Sequence, residues 1–282
     1  MLELLNIDMF FGGIAALHDM SFTVKEHSLT GIIGPNGAGK TTIFNIITGV
    51  YPPSSGRVFF NGADITPLKA YQINKLGIAR TFQNLRLFTR SSVLDNVMTA
   101  AQNRYISSFR EERFSGNMTQ NYSPDPSCWY NFLESCLHLG RWRSVEKRLR
   151  FKSLELLERV GLSDRAYQAA GTLPYGMQRR LEIARALALS PRLLLLDEPA
   201  AGMNPEEVLE LNELITGIHR DFNLTILVIE HHMDLIMKIC PHIICLNFGA
   251  KIAEGSSLDI QNNPEVLAAY LGTEGTESKK GA

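Results

Sequence analysis

A glycine-rich segment has the residue types and spacing of a phosphate-binding loop, G-x-x-x-x-G-K-[ST]. It reads Gly34-Pro35-Asn36-Gly37-Ala38-Gly39-Lys40-Thr41, and Thr42 follows. Glycines let the backbone curl so that its N–H groups point at phosphate oxygens, and the helix that follows adds the positive end of its dipole. We expect Lys40 to reach the β and γ phosphates of a nucleotide and the Thr41 hydroxyl to bind Mg²⁺.

Two adjacent acids form a second candidate site. The apolar run 193–196 is followed directly by Asp197 and Glu198. Because side chains alternate along a strand, one acid can serve the metal while its neighbour faces an attacking water. We assign Asp197 to Mg²⁺, through a bound water, and Glu198 to the general base. Two acids after a strand could equally cap a helix or face solvent, but the phosphate-binding loop favours the catalytic interpretation.

Alternating strands and helices must position these groups. The loop lies between a short apolar run, Leu29–Ile33, and a segment of helical character at 41–48. Continuous apolar runs at 193–196, Thr225–Ile229 and 243–246 are typical of parallel strands covered by helices on both faces. Asn204 and Pro205 predict an N-cap and first helical position, with apolar residues at helical spacing after them.

The segment from about 91 to 171 differs in character and is interpreted as a helical subdomain inserted into the α/β core. It contains a turn-rich piece at 121–126 and then an amphipathic helix with Leu149, Leu156, Leu157 and Val160 on one side. The tail from Thr273 to Ala282 is rich in Gly, Ser, Thr and Lys, which predicts disorder.

Composition excludes several classes of protein. The 282 residues are 45% hydrophobic and 20% charged with a net charge of -1, which is a globular balance without an overall basic footprint for nucleic acid. No secretory signal or apolar run of membrane-spanning length is seen, so we expect a cytoplasmic chain that reaches a membrane only through partners. The four cysteines, without CxxC spacing, indicate packing residues. They are Cys128, Cys136, Cys240 and Cys245.

Three further motifs give the sequence a resemblance to ABC ATPases. Residues 173–187, LPYGMQRRLEIARAL, resemble the ABC signature and the helix that it opens, just before Asp197-Glu198-Pro199. Thr81-Phe82-Gln83 looks like the Q-loop, and Ile229-Glu230-His231 looks like the switch histidine. With the loop and the acids, five motifs stand in the family order over nearly the whole chain.

The resemblance implies an α/β fold of the P-loop NTPase class: a RecA-like core, with a mixed sheet flanked by helices, and an inserted helical subdomain. It implies one ABC ATPase domain over 1–255, with the core at 1–90 and 186–255 and the subdomain at 91–185. A C-terminal helix and flexible tail would occupy 256–282.

The family also implies the cofactors ATP and Mg²⁺ and a head-to-tail pair of ATPase domains. The signature of each domain would then complete the ATP site of the other. In this sequence the signature residues are Leu173, Pro174, Tyr175, Gly176, Met177 and Gln178. Gln83 would touch the metal or the lytic water, and His231 would donate to the γ-phosphate, with His232 incidental. Phe11 would stack on adenine, with Phe10 as the alternative residue for this role. Phe11 could instead be an ordinary aromatic side chain of the core.

A subset of motifs resembles one branch, the larger ATPase of branched-chain amino-acid importers. The segments are 79–88, ARTFQNLRLF; 198–205, EPAAGMNP; and 263–267, NPEVL. The branch implies a paralogous second ATPase subunit, two integral-membrane permeases and a periplasmic or extracellular substrate-binding protein, with the chain on the cytoplasmic face of the cell membrane. Urea and amide importers use related subunits, so the substrate stays open.

The sequence departs from the broad family at Pro174, Tyr175 and Met177, where Leu-Ser-Gly-Gly-Gln is usual, and at Asn204, where aspartate is commoner. Reduced hydrolysis at one site, or a non-catalytic regulatory subunit, therefore stays open. Soluble ABC ATPases of translation or repair and P-loop kinases fit less well. The stretch Arg141-Trp142-Arg143 could bind nucleic acid or lipid, but a solvated helix face is the better interpretation, and no nucleic-acid partner is expected.

Overall fold

The computed structural model describes residues 1–102, 140–231 and 233–277, with the segments 140–144 and 271–277 described by backbone alone. The strands in these ranges are β1 Leu2–Phe11, β2 Ile14–Val24, β3 Leu29–Ile33, β4 Ser55–Phe60, β5 Ala63–Asp64, β6 Ile78–Arg80, β7 Leu193–Asp197, β8 Thr225–Ile229, β9 His242–Asn247 and β10 Ala250–Gly255. The helices are α1 Lys40–Ile47, α2 Ala70–Lys75, α3 93–102, α4 Gly140–Arg159, α5 Tyr175–Ala188, α6 Pro205–Asp221, α7 Met233–Ile239, α8 Ser257–Gln261 and α9 Pro264–Glu277.

The strands form two sheets. The larger has the order β10-β9-β3-β8-β7-β6, in which β9 to β6 run parallel and β10 pairs antiparallel with β9. Every residue of β3, β7 and β8 is buried, as expected for parallel strands covered on both faces. The predicted α/β fold of ABC ATPase type is therefore confirmed, and β3 and β8 have the predicted bounds.

The smaller sheet, β2-β1-β4-β5, is antiparallel and was not predicted. In β1 the side chains of Leu2, Leu4 and Ile7 are buried, while Glu3 and Leu5 are exposed. Such alternation buries one face of the sheet, and that face joins a single apolar cluster with α1 and the larger sheet. Phe44 of α1 is among the largest fully buried side chains of the cluster.

Backbone contacts divide the chain into two units, Met1–Leu85 with Pro191–Ala282, and Arg86–Ser190. These bounds differ by about five residues from the sequence-based core and subdomain. In the second unit, the predicted amphipathic helix is α4, which buries Leu149 and Leu157. Asn96 of α3 is also buried in this unit. Its Oδ1 accepts a hydrogen bond from Phe88 N at 2.9 Å, and its Nδ2 donates one to Phe88 O at 3.0 Å.

Local sequence signals mark the start of α6 and the last residues of α9. Asn204 caps α6: its Oδ1 accepts a hydrogen bond from Glu207 N at 2.9 Å, and Glu207 Oε2 accepts one from Asn204 N at 3.0 Å. The predicted cap and Pro205 position are therefore confirmed. Helix α9 continues to Glu277, although disorder was expected from Thr273.

Several sequence-based interpretations lie outside the described residues. These are the turn-rich piece 121–126, Cys128, Cys136, His232, the side chains of 141–143 and the last five residues. No helix in the described parts of the chain combines the length and apolar character needed to cross a bilayer.

Candidate nucleotide-binding site

The phosphate-binding loop connects β3 to α1 and depends on glycine geometry. Gly37 and Gly39 have φ values of 82° and 98°, in the left-handed region that L side chains rarely adopt. A Cβ added to Gly39 would lie 2.6 Å from Leu17 Cδ2 and 2.8 Å from Ala16 O, so no larger residue fits. Thr41 is exposed and Thr42 half-buried in the first turn of α1. The loop thus has the curled shape expected for phosphate.

Lys40 points into the curl of its own loop. Its Nζ donates to the carbonyl oxygens of Gly34 at 2.6 Å and Pro35 at 3.0 Å, and only 5% of the residue is exposed. Burial lowers the pKa of Lys40, while the nearby carboxylates, Glu198 foremost, act in the opposite direction. A buried ammonium near a neutral, glycine-lined backbone is suited to a polyanion.

Strand order brings the candidate site residues to one edge of the larger sheet. Strand β8 lies between β3 and β7, with Ile229 paired to Ile32 on one side and to Asp197 on the other. The segments that leave the carboxyl ends of these three strands are the phosphate-binding loop, Glu230-His231 and Glu198. Ligands of parallel α/β sheets bind at this edge.

Asp197 is held by an arginine whose role the sequence analysis did not assign. Arg80 Nη2 donates to Asp197 Oδ2 at 2.6 Å, with side chains 7% and 2% exposed. Thr81 Oγ1 accepts from Asp197 N at 3.3 Å. Arg80 had been quoted only as part of the branch motif. Its signal was a charged residue in a short apolar strand, three positions before Gln83.

Glu198 lies just beyond β7 and has a φ of 46°, an uncommon backbone conformation for a residue with a side chain. Its N–H donates to Ile229 O at 2.9 Å, which holds Glu198 beside the end of β8. Gln83 Nε2 donates to Glu198 Oε2 at 2.7 Å. Gln83 therefore contacts the candidate base directly, while its contact with metal or lytic water stays a prediction. Asp197 is buried and Glu198 half-buried.

A second buried acid, Glu230, contacts His231, the candidate switch histidine. Glu230 is 0% exposed; its Oε1 accepts from Ala200 N at 2.8 Å and its Oε2 from His231 N at 3.3 Å. His231 Nδ1 lies 3.8 Å from Glu230 Oε2, and 42% of its side chain is exposed. Glu230 thus ties the segment after Glu198 to the segment that carries His231. It was quoted in the motif, but no role was predicted for it.

Phe11 ends β1 and is 42% exposed, so it is not a core aromatic. Its ring lies edge-on to Tyr51, with centroids 5.5 Å apart and planes at 76°. Tyr51 was not predicted, because nothing local marks it as a partner of Phe11. Phe10 is also half exposed, so the choice between the two as adenine platform stays a prediction.

The signature segment opens α5 in the second unit. Pro174 is the N-cap residue, and Gln178 Nε2 donates to Leu173 O at 2.8 Å, which closes the first turn. Arg179 and Glu182 form a buried ion pair at 2.9 Å one turn further on. Met177 is half-buried and Tyr175 exposed. The predicted role of this segment toward a second subunit stays a prediction.

The C-terminal helix also contributes a residue near the loop. Burial raises the pKa of the Tyr270 hydroxyl on α9, and this hydroxyl interacts with the Gly34 backbone. Sequence reasoning missed Tyr270, because 236 positions separate it from the loop that it contacts.

The donor set fits magnesium and a triphosphate. The Thr41 hydroxyl, the Asp197 carboxylate and the Gln83 amide offer the oxygen ligands that Mg²⁺ prefers, and Mg²⁺ usually takes one or two carboxylates together with substrate phosphates. Lys40 and the glycine curl fit the phosphates themselves.

Comparison with known proteins supports nucleotide binding by this chain. The family model described as ABC transporter matches residues 17–201, and that described as branched-chain amino acid ATP-binding cassette transporter matches 250–276. BraF of Pseudomonas aeruginosa, a high-affinity branched-chain amino acid transport ATP-binding protein, is 40% identical over 271 residues, covering 96% of this chain and 97% of its own. LivG of Escherichia coli K12, of the same description, is 38% identical over 272 residues, with coverages of 96% and 98%.

A solved structure is similar over the same length. The ADP conformation of an ATP-binding cassette from an ABC transporter matches with a TM-score of 0.76 at 28% identity, covering 96% of this chain and 98% of that one. The resemblance predicted from the motifs is therefore confirmed. The chain belongs to the ABC transporter family, among its ATP-binding proteins.

Proposed function

We propose that the chain hydrolyses ATP to power import of branched-chain amino acids. Membership of the family supports both ATP binding and ATPase activity. The choice of substrate is supported by the match at 250–276 and by relatives that are themselves branched-chain amino acid transport proteins. The main support for the proposal is that the phosphate-binding loop, the two acids and the segment with His231 follow the carboxyl ends of β3, β7 and β8, which are neighbouring strands.

The chain's own residues suggest how hydrolysis proceeds. Lys40 would bind β and γ phosphate oxygens in exchange for the loop carbonyls that it now contacts. Glu198, oriented by Gln83, would accept a proton from water as its oxygen attacks the γ-phosphorus in line. The bond to the β-phosphate breaks, which releases ADP and inorganic phosphate. His231 would donate to the γ-phosphate, and Asp197 and Thr41 would hold Mg²⁺.

Magnesium, when bound, would offset the negative charge that develops on the phosphate oxygens. Preorganised donors act most strongly in a site from which water is excluded. A second ABC ATPase subunit, a paralogue packed head to tail, would exclude that water, and residues 173–178 of this chain would face its ATP. Pro174 and Met177 replace usual signature residues. They would therefore slow hydrolysis of the ATP that the partner subunit binds.

The transport partners follow from the branch. Two permease subunits would hold the pair of ATPases at the cytoplasmic face of the membrane, and a periplasmic or extracellular binding protein would deliver the substrate. Closure and reopening of the ATPase pair would move the permeases.

The test is ATP hydrolysis by the assembled transporter in liposomes. We expect phosphate release to rise when the binding protein is loaded with leucine, isoleucine or valine. Stimulation by urea or a short-chain amide, and not by these amino acids, would reassign the substrate. Glu198→Gln in this subunit alone separates a catalytic from a regulatory role. Unchanged turnover in that complex would assign hydrolysis to the partner ATPase, and phosphate transfer to a small molecule would indicate a kinase.

A further inference from the structure

Arg80 ends β6, and Gln83 follows three residues later. Their side chains donate hydrogen bonds to the two acids at the end of β7. Gln83 bonds Glu198, and Arg80 bonds Asp197. We infer that Arg80 is a positioning residue that fixes the Asp197 carboxylate relative to the phosphate-binding loop, by joining that carboxylate to α1. The inference rests on the proposed function, because it concerns magnesium-dependent binding of ATP.

The guanidinium of Arg80 bonds in two directions at once. Nη2 donates to Asp197 Oδ2 at 2.6 Å, whereas Nη1 donates to Asn45 Oδ1 at 2.7 Å and approaches Thr48 Oγ1 at 3.4 Å. A planar fork with fixed N–H directions can connect two separate acceptors, which a lysine ammonium on a flexible stem cannot do with the same geometry. Arg80 is thus a bridge from β7 to α1.

Aromatic rings hold the bridge in place. The guanidinium carbon of Arg80 lies 5.5 Å from the ring centroid of Phe44 and 5.4 Å from that of Phe82. Cation–π contacts of this length are stronger where water is excluded, as it is around this nearly buried pair. The rings and the two hydrogen-bond partners leave the guanidinium little freedom to rotate.

The far end of the bridge lies on the helix that the loop opens. Helix α1 begins at Lys40, and Asn45 lies between one and two turns further along it. A short helix moves as a unit, so a tie at Asn45 also fixes the distance between Asp197 and the loop. Stability alone does not explain the ion pair, because a well-packed apolar pair of the same volume is often as stable.

If Arg80 positions Asp197, its loss should affect nucleotide affinity in Mg²⁺ and not nucleotide affinity without metal. Donors of the loop bind phosphate with or without metal, whereas Asp197 contributes only when Mg²⁺ is present. Loss of the bridge should therefore reduce the gain in affinity that Mg²⁺ produces and leave metal-free affinity nearly unchanged. A residue that merely supports the fold would change both affinities together.

The experiment is calorimetric titration of the full chain with a non-hydrolysable ATP analogue, in EDTA and in Mg²⁺. Arg80→Lys keeps the charge and removes the fork, Asn45→Ala keeps the ion pair and cuts the tie to α1, and Arg57→Met at an exposed position is the control. The quantity compared is the dissociation constant in EDTA divided by that in Mg²⁺. For Arg80→Lys we expect this ratio to fall roughly tenfold, which corresponds to the loss of about one charge-assisted hydrogen bond. Its EDTA affinity should stay within about threefold of the parent, since the donors of the loop are untouched.

Asn45→Ala should lower the ratio less, and Arg57→Met should not change it. Both Arg80→Lys and Asn45→Ala keep a cation beside the buried carboxylate, so both should fold, and a thermal melt checks this. A ratio in folded Arg80→Lys that is unchanged, or that rises, would overturn the inference, as would an equal loss in EDTA and Mg²⁺. A parent chain without magnesium-dependent affinity would overturn the proposed function as well.

Discussion

Gln83 and Glu198 are 115 residues apart in the sequence, and the side-chain amide of Gln83 donates to the carboxylate of Glu198 at 2.7 Å. The contact exists because β6 and β7 are neighbouring parallel strands, with Arg80 paired to Leu195. Both side chains therefore leave the same edge of the sheet. A neutral amide can hold the carboxylate without removing its charge, which a base requires.

Removing this contact should slow hydrolysis more than binding. A hydrogen bond to a charged group contributes about 1.5–3 kcal/mol, so we expect Gln83→Ala to lower phosphate release about 10- to 100-fold in the assembled transporter. Affinity for the ATP analogue in EDTA, where no metal is bound, should change little, because the donors of the loop are untouched. Equal losses in turnover and affinity would show that Gln83 supports the site as a whole and does not orient Glu198.

Glu198→Gln tests the base itself. The amide keeps the size of the side chain but cannot accept a proton, so turnover should fall about 10²- to 10⁴-fold while ATP remains bound. Bound nucleotide is read by filtration and free phosphate by a coupled assay. Phosphate release near the parent rate would remove the base assignment.

Lys40→Ala should weaken nucleotide binding directly. Loss of charge-assisted bonds to phosphate is expected to raise the dissociation constant at least about tenfold in calorimetry. Lys25→Ala is the matched control, since Lys25 is an exposed lysine after β2. Equal affinity of the two variants would contradict the role of the loop.

The two described cysteines should be unreactive in the native protein. Burial raises the pKa of Cys240 to about 12 and that of Cys245 to about 11, from 9.0. A thiol whose pKa is raised stays protonated until the pH passes that value, and only the thiolate reacts. At pH 8 we expect iodoacetamide to leave both peptides unmodified, as read by mass spectrometry, and to label both in guanidinium chloride. Native labelling at the denatured rate would contradict their burial.

Leu195 should be important for stability. It is 0% exposed in the middle of β7, so Leu195→Ala removes buried methyl groups and is expected to lower the free energy of unfolding by about 2–5 kcal/mol. Leu209→Ala on α6, where the side chain is exposed, should cost far less. Urea unfolding of both variants gives the comparison, and similar costs would be inconsistent with the central position of β7.

The candidate site shows which roles a linear pattern can assign. Lys40 and the two acids were assigned because loop, strand and residue type all lie within a few positions of one another. Arg80, Glu230, Tyr51 and Tyr270 were not assigned, because each acts through a partner that is distant in the sequence or that only strand order brings near. Spacing along the chain carries no information about such contacts.

The fold divides in the same way. The central parallel strands, the loop geometry and the Asn204 cap could be predicted from local sequence, since apolar runs, glycines and capping residues act over a few neighbouring positions. The second sheet of β1, β2, β4 and β5, and the position of β8 between β3 and β7, became known from the folded chain. Strand pairing depends on which buried faces fit across the whole core, and segments up to about two hundred residues apart contribute to that fit.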